Sequence, residues 1–381
     1  MNSNLRKTWV FLNAANAFFR RRVHYRFEMI EYDIKLLPRQ LMNLTLNAVH
    51  AVMPRAPMLS FPPVLQIEPT NACNLNCTLC PSGMGRLGRA KHFLDFNVYK
   101  RLLDEIGQYA LLMQFWGWGE PFLHPRAYDM IRYAKMYNIT VVTSTNMQAF
   151  SPKYAVDELV ECGLDTLIVA IDGTTQEAYE KYRVKGHLGR ILKRTEQILE
   201  ARERHGVTHP LINFQFMVMR HNEHQVEEIQ SLSERLEVDF LTLRTVSPHG
   251  GPLDSFRELI PRGKRFRRFG GANGLPQKKP GKSRKCLRPF SKAMVFSDGA
   301  VGPCEEDYSA KEIYGRLDGM TGFRDIWFSD RARRFRKQFI REDNVFPFCR
   351  ACPYKARVQD DCVVAGFCYN RKTVKKLCHK A

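Results

Sequence analysis

Cys73, Cys77 and Cys80 stand within eight residues of one another, spaced C-x3-C-x2-C, on a stretch rich in Asn and Thr. Soft thiolates at this density suit an iron–sulfur cluster, and a short loop can wrap one corner of a cubane. Three ligands leave one iron of a four-iron cluster open, and an open iron is where chemistry happens. A zinc site would need a fourth ligand nearby, for which His92 is the nearest candidate, and structural zinc sites usually pair C-x2-C with a distant second pair. Three structural core cysteines fit this polar loop poorly. A second group follows at Cys286, Cys304, Cys349, Cys352, Cys362, Cys368 and Cys378. Its first two members flank residues 294–301, which read as a hairpin turning at Asp298–Gly299. With the C-x2-C at Cys349 and Cys352 they make a four-thiolate set. Cys162, at a helix end, reads as a lone buried thiol.

The elements that must position these groups follow from the pattern of the chain. Its 381 residues, 44% hydrophobic and 26% charged, are globular in composition. Apolar runs at 64–67, 111–116, 140–143, 167–171, 212–218 and 240–243 predict six strands. Amphipathic stretches at 98–106, 127–136, 154–162, 191–204 and 225–236 predict helices between them. Regular alternation implies parallel strands with right-handed crossovers, an open or incomplete barrel whose reactive groups sit at the strands' carboxyl ends. Residues 262–288 carry 11 Lys/Arg and no Asp/Glu and read as a flexible connector. Residues 1–60 carry nine Lys/Arg against three Asp/Glu. Their two apolar groups, Trp9, Phe11, Leu12, Phe18 and Phe19, then Leu41, Leu44, Leu46, Val49 and Val52, predict amphipathic helices that either lie on a bilayer surface or pack on the main domain. No apolar stretch reaches the length of a membrane span and no secretory signal is evident.

C-x3-C-x2-C on the loop after the first strand of such a domain resembles the radical S-adenosylmethionine superfamily, over residues 62–250. The resemblance implies that the open iron is chelated by the amino and carboxylate groups of S-adenosylmethionine. One electron then cleaves the sulfonium to a 5′-deoxyadenosyl radical, which abstracts a hydrogen atom from substrate. It also implies cofactor contacts at successive strand ends. Gly119 and Glu120 match the turn that meets the methionine amino group, and Ser144 and Asn146 the polar segment near the ribose and carboxylate. Asp172 matches the ribose-facing segment, Arg183 a carboxylate-binding fork, and Met217–Val218 the strand that packs adenine, with Val218 taken as the contact. Trp118 stands where the family has a first glycine, and Leu79 where it has an aromatic residue. Cys286, Cys304, Cys349 and Cys352 resemble the SPASM and twitch extensions and imply one auxiliary 4Fe–4S cluster in preference to two. That leaves Cys362, Cys368 and Cys378 as free thiols, ligands of a second cluster or, with His379, a zinc site.

The expected fold is therefore α/β: a partial (β/α)6 barrel, residues 61–260, with a helical amino-terminal extension, 1–60. A basic connector, 261–285, a small SPASM/twitch-like iron–sulfur domain, 286–356, and a basic Cys-containing tail, 357–381, follow. The expected activity is reductive cleavage of S-adenosylmethionine and hydrogen abstraction from a lipid or membrane-attached, sugar or peptide substrate. No side chain beyond these ligands is assigned a catalytic role. A one-electron reductant protein is the implied partner. The net charge of +20 makes an anionic membrane surface a further expected partner through the amino-terminal helices, with a cytoplasmic, peripheral location. Arg331, Arg333, Arg334, Arg336, Lys337 and Arg341 could meet nucleic-acid phosphates, but no RNA-binding motif accompanies them. The alternatives are an RNA-modifying enzyme of the same superfamily and a non-catalytic electron carrier.

Overall fold

The computed structural model describes residues 17–28, 30–53, 55–149, 155–247, 253–269, 286–342, 345–350, 352 and 362–370. All six expected core strands form: β3 (Val64–Ile67), β4 (Leu112–Gln114), β5 (Thr140–Thr145), β6 (Thr166–Ala170), β7 (Leu211–Val218) and β8 (Phe240–Thr245). Each pairs in parallel with the next in chain order. The crossovers carry α2 (Phe96–Ile106), α3 (Ala127–Lys135), α4 (Ala155–Glu161), α5 (Gln176–Tyr182), α6 (Leu188–Arg204) and α7 (Val226–Arg235). Asp95 starts α2 by accepting the amide protons of Asn97 and Val98, and Thr175 starts α5 by accepting that of Ala178.

Strand periodicity divides the side chains in two. Leu65, Met113, Val141, Leu167, Ile212 and Leu241 face the helices and form the main core. Their neighbours Val64, Leu112, Val142, Ile168, Leu211 and Phe240 face the barrel interior in a separate apolar layer. One step further along the same inner face the residues turn polar, at Gln66, Gln114, Ser144, Asn213, Gln215 and Arg244. The barrel thus has an apolar floor and a polar chamber above it.

The floor is completed by the amino-terminal extension, which is helical only in part. Residues 22–35 are a β-hairpin, β1 (Arg22–Phe27) against β2 (Ile30–Lys35). Phe27, Ile30, Tyr32 and Ile34 are buried in the inner layer, each contributing about 1.5–3 kcal/mol of apolar transfer energy. The Tyr32 hydroxyl donates to Thr166 Oγ1 at 2.9 Å. At the hairpin tip Glu28 (φ 54°) reaches into the chamber and accepts from Gln215 Nε2 at 2.9 Å and Arg244 Nη1 at 2.6 Å. Helix α1 (Pro38–Val52) follows, and its buried face is the polar one: Gln40, Asn43, Asn47 and His50. The amides of Gln40, Asn43 and Asn47 donate to the carbonyls of Ala110, Phe61 and Phe290. The apolar residues expected to be its buried stripe are only half-buried (Leu41, Leu44, Leu46, Val49). Phe18 and Phe19 are exposed, while Trp9, Phe11 and Leu12 lie outside the described residues.

The carboxyl-terminal part continues the same sheet. The expected hairpin forms as β9 (Lys292–Val295) and β10 (Ala300–Gly302), with Gly299 at φ 79° in its turn. Strand β9 adds in parallel to β3, and β11 (Gly315–Arg316) pairs with β10. At the other edge β12 (Val363–Cys368), within the stretch expected to be a tail, adds antiparallel to β8. The ten strands run β11-β10-β9-β3-β4-β5-β6-β7-β8-β12. Helix α8 (Leu253–Leu259) and Phe269 cap the far end of the barrel, and residues 270–285 of the basic connector lie outside the described residues. Helix α9 (Asp330–Arg341), capped by Ser329, lies against the hairpin domain. Among the described residues no helix is long and apolar enough to cross a membrane.

Candidate active site

The loop leaving β3 is fixed before it reaches its cysteines. Thr70 Oγ1 donates to the His92 carbonyl at 2.7 Å, and Asn71 clasps the same segment through Ala90 O and His92 N. Leu75 and Leu79 anchor the loop in an apolar cluster with Tyr182, Val246, Phe256 and Phe269. Leu79, where the family has an aromatic residue, is thus a packing anchor. Cys77 is buried and Cys73 and Cys80 are half-buried, all three as free thiols. Burial pushes the Cys73 thiol up to about 12 and raises that of Cys77, which Arg183 partly counters. Metal binding has to displace those protons. Three free, neighbouring thiols beside a cationic side chain fit an iron–sulfur cluster with one open iron. Among the described residues no three His, Cys, Asp or Glu side chains converge on a single ion, and His92 is exposed; a cubane takes each thiolate on a different iron.

The strand ends enclose this loop. Gly119 lies so close to it that a Cβ there would sit 2.2 Å from the Thr70 carbonyl oxygen, so only glycine fits. The Glu120 amide donates to Ala72 O at 2.8 Å. Its carboxylate accepts from Thr145 Oγ1 and from the Asn146 amide, both at 2.8 Å. Burial pushes the Glu120 carboxyl up to about 7, against these hydrogen bonds. Asn146 Nδ2 donates to Asn74 Oδ1 at 2.8 Å and lies 3.8 Å from Cys73 Sγ. Asp172 accepts from Arg183 Nε at 2.5 Å and from the Met217 amide at 2.7 Å, while Arg183 Nη1 lies 3.7 Å from Cys77 Sγ. The structure therefore gathers Gly119, Glu120, Asn146, Asp172 and Arg183 around the thiols, with Ser144 on the inner face of β5. Val218 is a correction. It is wholly buried on the helix-facing side, and the alternation of β7 turns Met217 toward the cysteine loop instead.

On the other side of the chamber Cys286, Cys304, Cys349 and Cys352 come together around Arg288 and Tyr314. Arg288 feels Cys286 and Cys304, Cys304 feels Cys352, and Tyr314 feels Cys304 and Cys349. These four cysteines are a donor set that could hold one four-iron cluster. Cys362 is buried elsewhere, 2.7 Å from Arg268 Nη1; Cys368 is disulfide-bonded, and Cys378 and His379 lie outside the described residues. Arg288 Nη1 lies 3.5 Å from Cys304 Sγ and donates to Glu305 Oε1 at 2.8 Å. Lys292 Nζ reaches Glu305 Oε2 at 3.2 Å and donates to Gln114 Oε1 at 2.5 Å. Burial opposes ionisation of Glu305, but Arg288 and Lys292 hold it well below the usual carboxylate range. Between these groups lies a cavity of about 190 Å³, lined by Gln66, Gln114, Trp116 and Arg244 from the barrel side and by Arg288 and Glu305 from the other.

Several of these residues carry no motif. Glu68, one residue past β3, holds Arg89 through two bonds of 2.9 and 3.0 Å and accepts from the Trp118 and Ser297 amides. It locks the turn where Trp118 replaces the family's glycine. Only a charged residue directly after an apolar strand signals it. Glu28, Arg288 and Lys292 are brought in by pairings between distant segments.

The family model of the Radical SAM superfamily matches residues 67–232, and that of the SPASM iron–sulfur cluster-binding domain matches residues 286–353. A tungsten-containing aldehyde ferredoxin oxidoreductase cofactor-modifying protein of Pyrococcus furiosus is 25% identical over 76% of this chain and 86% of its own length. The mycofactocin maturase MftC of Mycobacterium ulcerans is 28% identical over 53% of this chain, which spans about half (52%) of that relative. The crystal structure of Streptococcus suis SuiB bound to precursor peptide SuiA shares the fold, with a TM-score of 0.54 at 14% identity over 94% of this chain and 83% of SuiB. With its open-iron loop, strand-end shell and second thiol set, this chain belongs to the radical S-adenosylmethionine superfamily. It is an enzyme of the SPASM-bearing kind, whose cofactors are a 4Fe–4S cluster, S-adenosylmethionine and auxiliary iron–sulfur.

Proposed function

We propose that the enzyme oxidises a polar group about the size of one residue, presented by a peptide to the chamber between the two thiol sites. When bound, the cofactors supply a 5′-deoxyadenosyl radical that takes a hydrogen atom from an unactivated C–H bond, and an acceptor for the electron left behind. Cys73, Cys77 and Cys80 would hold the first cluster, and Cys286, Cys304, Cys349 and Cys352 the auxiliary one. Glu120, Thr145 and Asn146 fix the loop that carries Cys73. Arg183, oriented by Asp172, presents a guanidinium beside Cys77, suited to a carboxylate. Gln66 and Gln114 offer hydrogen bonds to substrate, while Trp116 and Trp118 keep water out.

The observation that carries this reading is Arg288, which touches Cys304 and lines the chamber at once. A target held there would lie beside the second thiol set, inside the barrel whose strand ends carry the first. The peptide choice draws support from the fold shared with SuiB, which binds a precursor peptide. The chamber's small volume favours a free polar molecule as the second reading. The test is anaerobic turnover of reconstituted protein with S-adenosylmethionine, a one-electron reductant and side-chain-deuterated candidate peptides. Deuterium in 5′-deoxyadenosine together with a peptide lighter by two hydrogens is expected. Deuterium transfer from free amino acids or sugars alone would replace the peptide reading, and no 5′-deoxyadenosine at all would remove the enzyme reading.

A further inference from the structure

Away from the chamber, a cavity of about 630 Å³ opens between residues 55–58, Phe290 and helix α9. Arg55, Arg333, Arg336, Lys337 and Arg341 line it, and no acidic residue is among its described lining residues. Asp330 pairs with Arg333 at 2.9 Å from outside. Arg336 forms the floor and is 4% exposed. Its Nε and Nη1 donate to the carbonyls of Pro289 and Trp327, both at 2.9 Å, and its guanidinium stacks on Trp327 at 4.1 Å. Its Nη2 is buried with no hydrogen-bond partner. An unmet donor on a buried cation is costly, and an anionic oxygen entering the cavity would satisfy it. Met58, Phe328 and Ile340 give the walls an apolar character.

The rim says what kind of anion. Met53 and Leu59, which bracket the Arg55–Met58 edge, are 57% and 65% exposed. Large apolar side chains turned to solvent beside a basic pocket suit a surface with acyl chains beneath its phosphates. A free phosphate has no use for that rim, and a nucleic-acid strand would find no fully exposed aromatic ring to stack on among the described lining residues. We propose that this pocket takes the phosphate of an anionic phospholipid and seats this face of the enzyme on a bilayer surface. The site is independent of the chamber and of its substrate.

The test is co-sedimentation of the full chain with phosphatidylcholine vesicles, with and without phosphatidylglycerol. Binding is expected only with phosphatidylglycerol. The double variant Lys337→Gln/Arg341→Gln removes two exposed charges and should bind about thirty-fold more weakly. Leu59→Ser, outside the basic cluster, should weaken vesicle binding and leave retention of inorganic phosphate unchanged. Both variants should cleave S-adenosylmethionine like the parent, which verifies their fold. Equal binding to both vesicle types, undiminished binding by the double variant, or saturable inorganic phosphate binding without vesicle binding would each overturn the proposal. So would RNA retention that the double variant abolishes while vesicles fail to bind.

Discussion

Cys73, Cys77 and Cys80 come from one loop, whereas Cys286, Cys304, Cys349 and Cys352 come from separate places along the chain. The first site is ringed by polar strand ends, with Arg183 and Asn146 approaching its thiols and no fourth thiol from its loop. The second draws its thiols from several segments beside Arg288. A site missing one protein ligand can bind and activate a molecule; a fully ligated one serves as an electron carrier. Their difference implies divided labour between the two thiol sets.

The largest expected effect breaks the first site. Cys77→Ala should reduce S-adenosylmethionine cleavage to background, measured as 5′-deoxyadenosine formed anaerobically. Cys304→Ala should leave that cleavage near the parent rate while substrate conversion falls to background; equal loss of both would end the division of labour. Gly119→Ala drives a Cβ into the Thr70 carbonyl and should cost about 4 kcal/mol of stability and most of the iron bound at the first site, with the auxiliary iron retained. The Glu120 carboxyl, raised to about 7 by burial, holds a proton in the folded metal-free protein that the unfolded chain has released. Its contribution is therefore fully present below its ordinary value of 4.5 and is lost as pH rises to about 7. Chemical denaturation should show about 3 kcal/mol less stability across that window, flattened in Glu120→Gln. The smallest effect lies at the floor. Tyr32→Phe removes a buried hydrogen bond and should cost about 1 kcal/mol in denaturation without changing cleavage.

The first site was legible because its ligands are local, and the barrel because apolar runs and amphipathic stretches alternate in register with its strands and helices. Val218 was misplaced by assigning a role to a motif position without carrying the two-residue period through β7, which puts Leu211, Asn213, Gln215 and Met217 on the inner face. The same period was present and unread in residues 22–35, where Val23, Tyr25 and Phe27 and then Ile30, Tyr32 and Ile34 alternate with polar residues. Helix α1 defeats hydrophobic reasoning for another cause. Its neighbours are loop carbonyls, which need donors, so amides turn inward and aliphatic residues are left half outside. The union of β9 with β3 and the reach of Lys292 to Gln114 depend on segments far apart in sequence, and no local pattern encodes them.

The hairpin of residues 22–35 gives the barrel a bottom made from its own chain. Phe27 and Glu28 line the chamber, so a molecule held there as proposed would stop against them, and their depth would gauge its length. A peptide bound as proposed would offer a terminus or a tight bend, and the atom resting above Glu28 would set which bond is presented for reaction. Shortening or lengthening that plug is thus a way to move the point of attack along the same molecule, with every cysteine left in place.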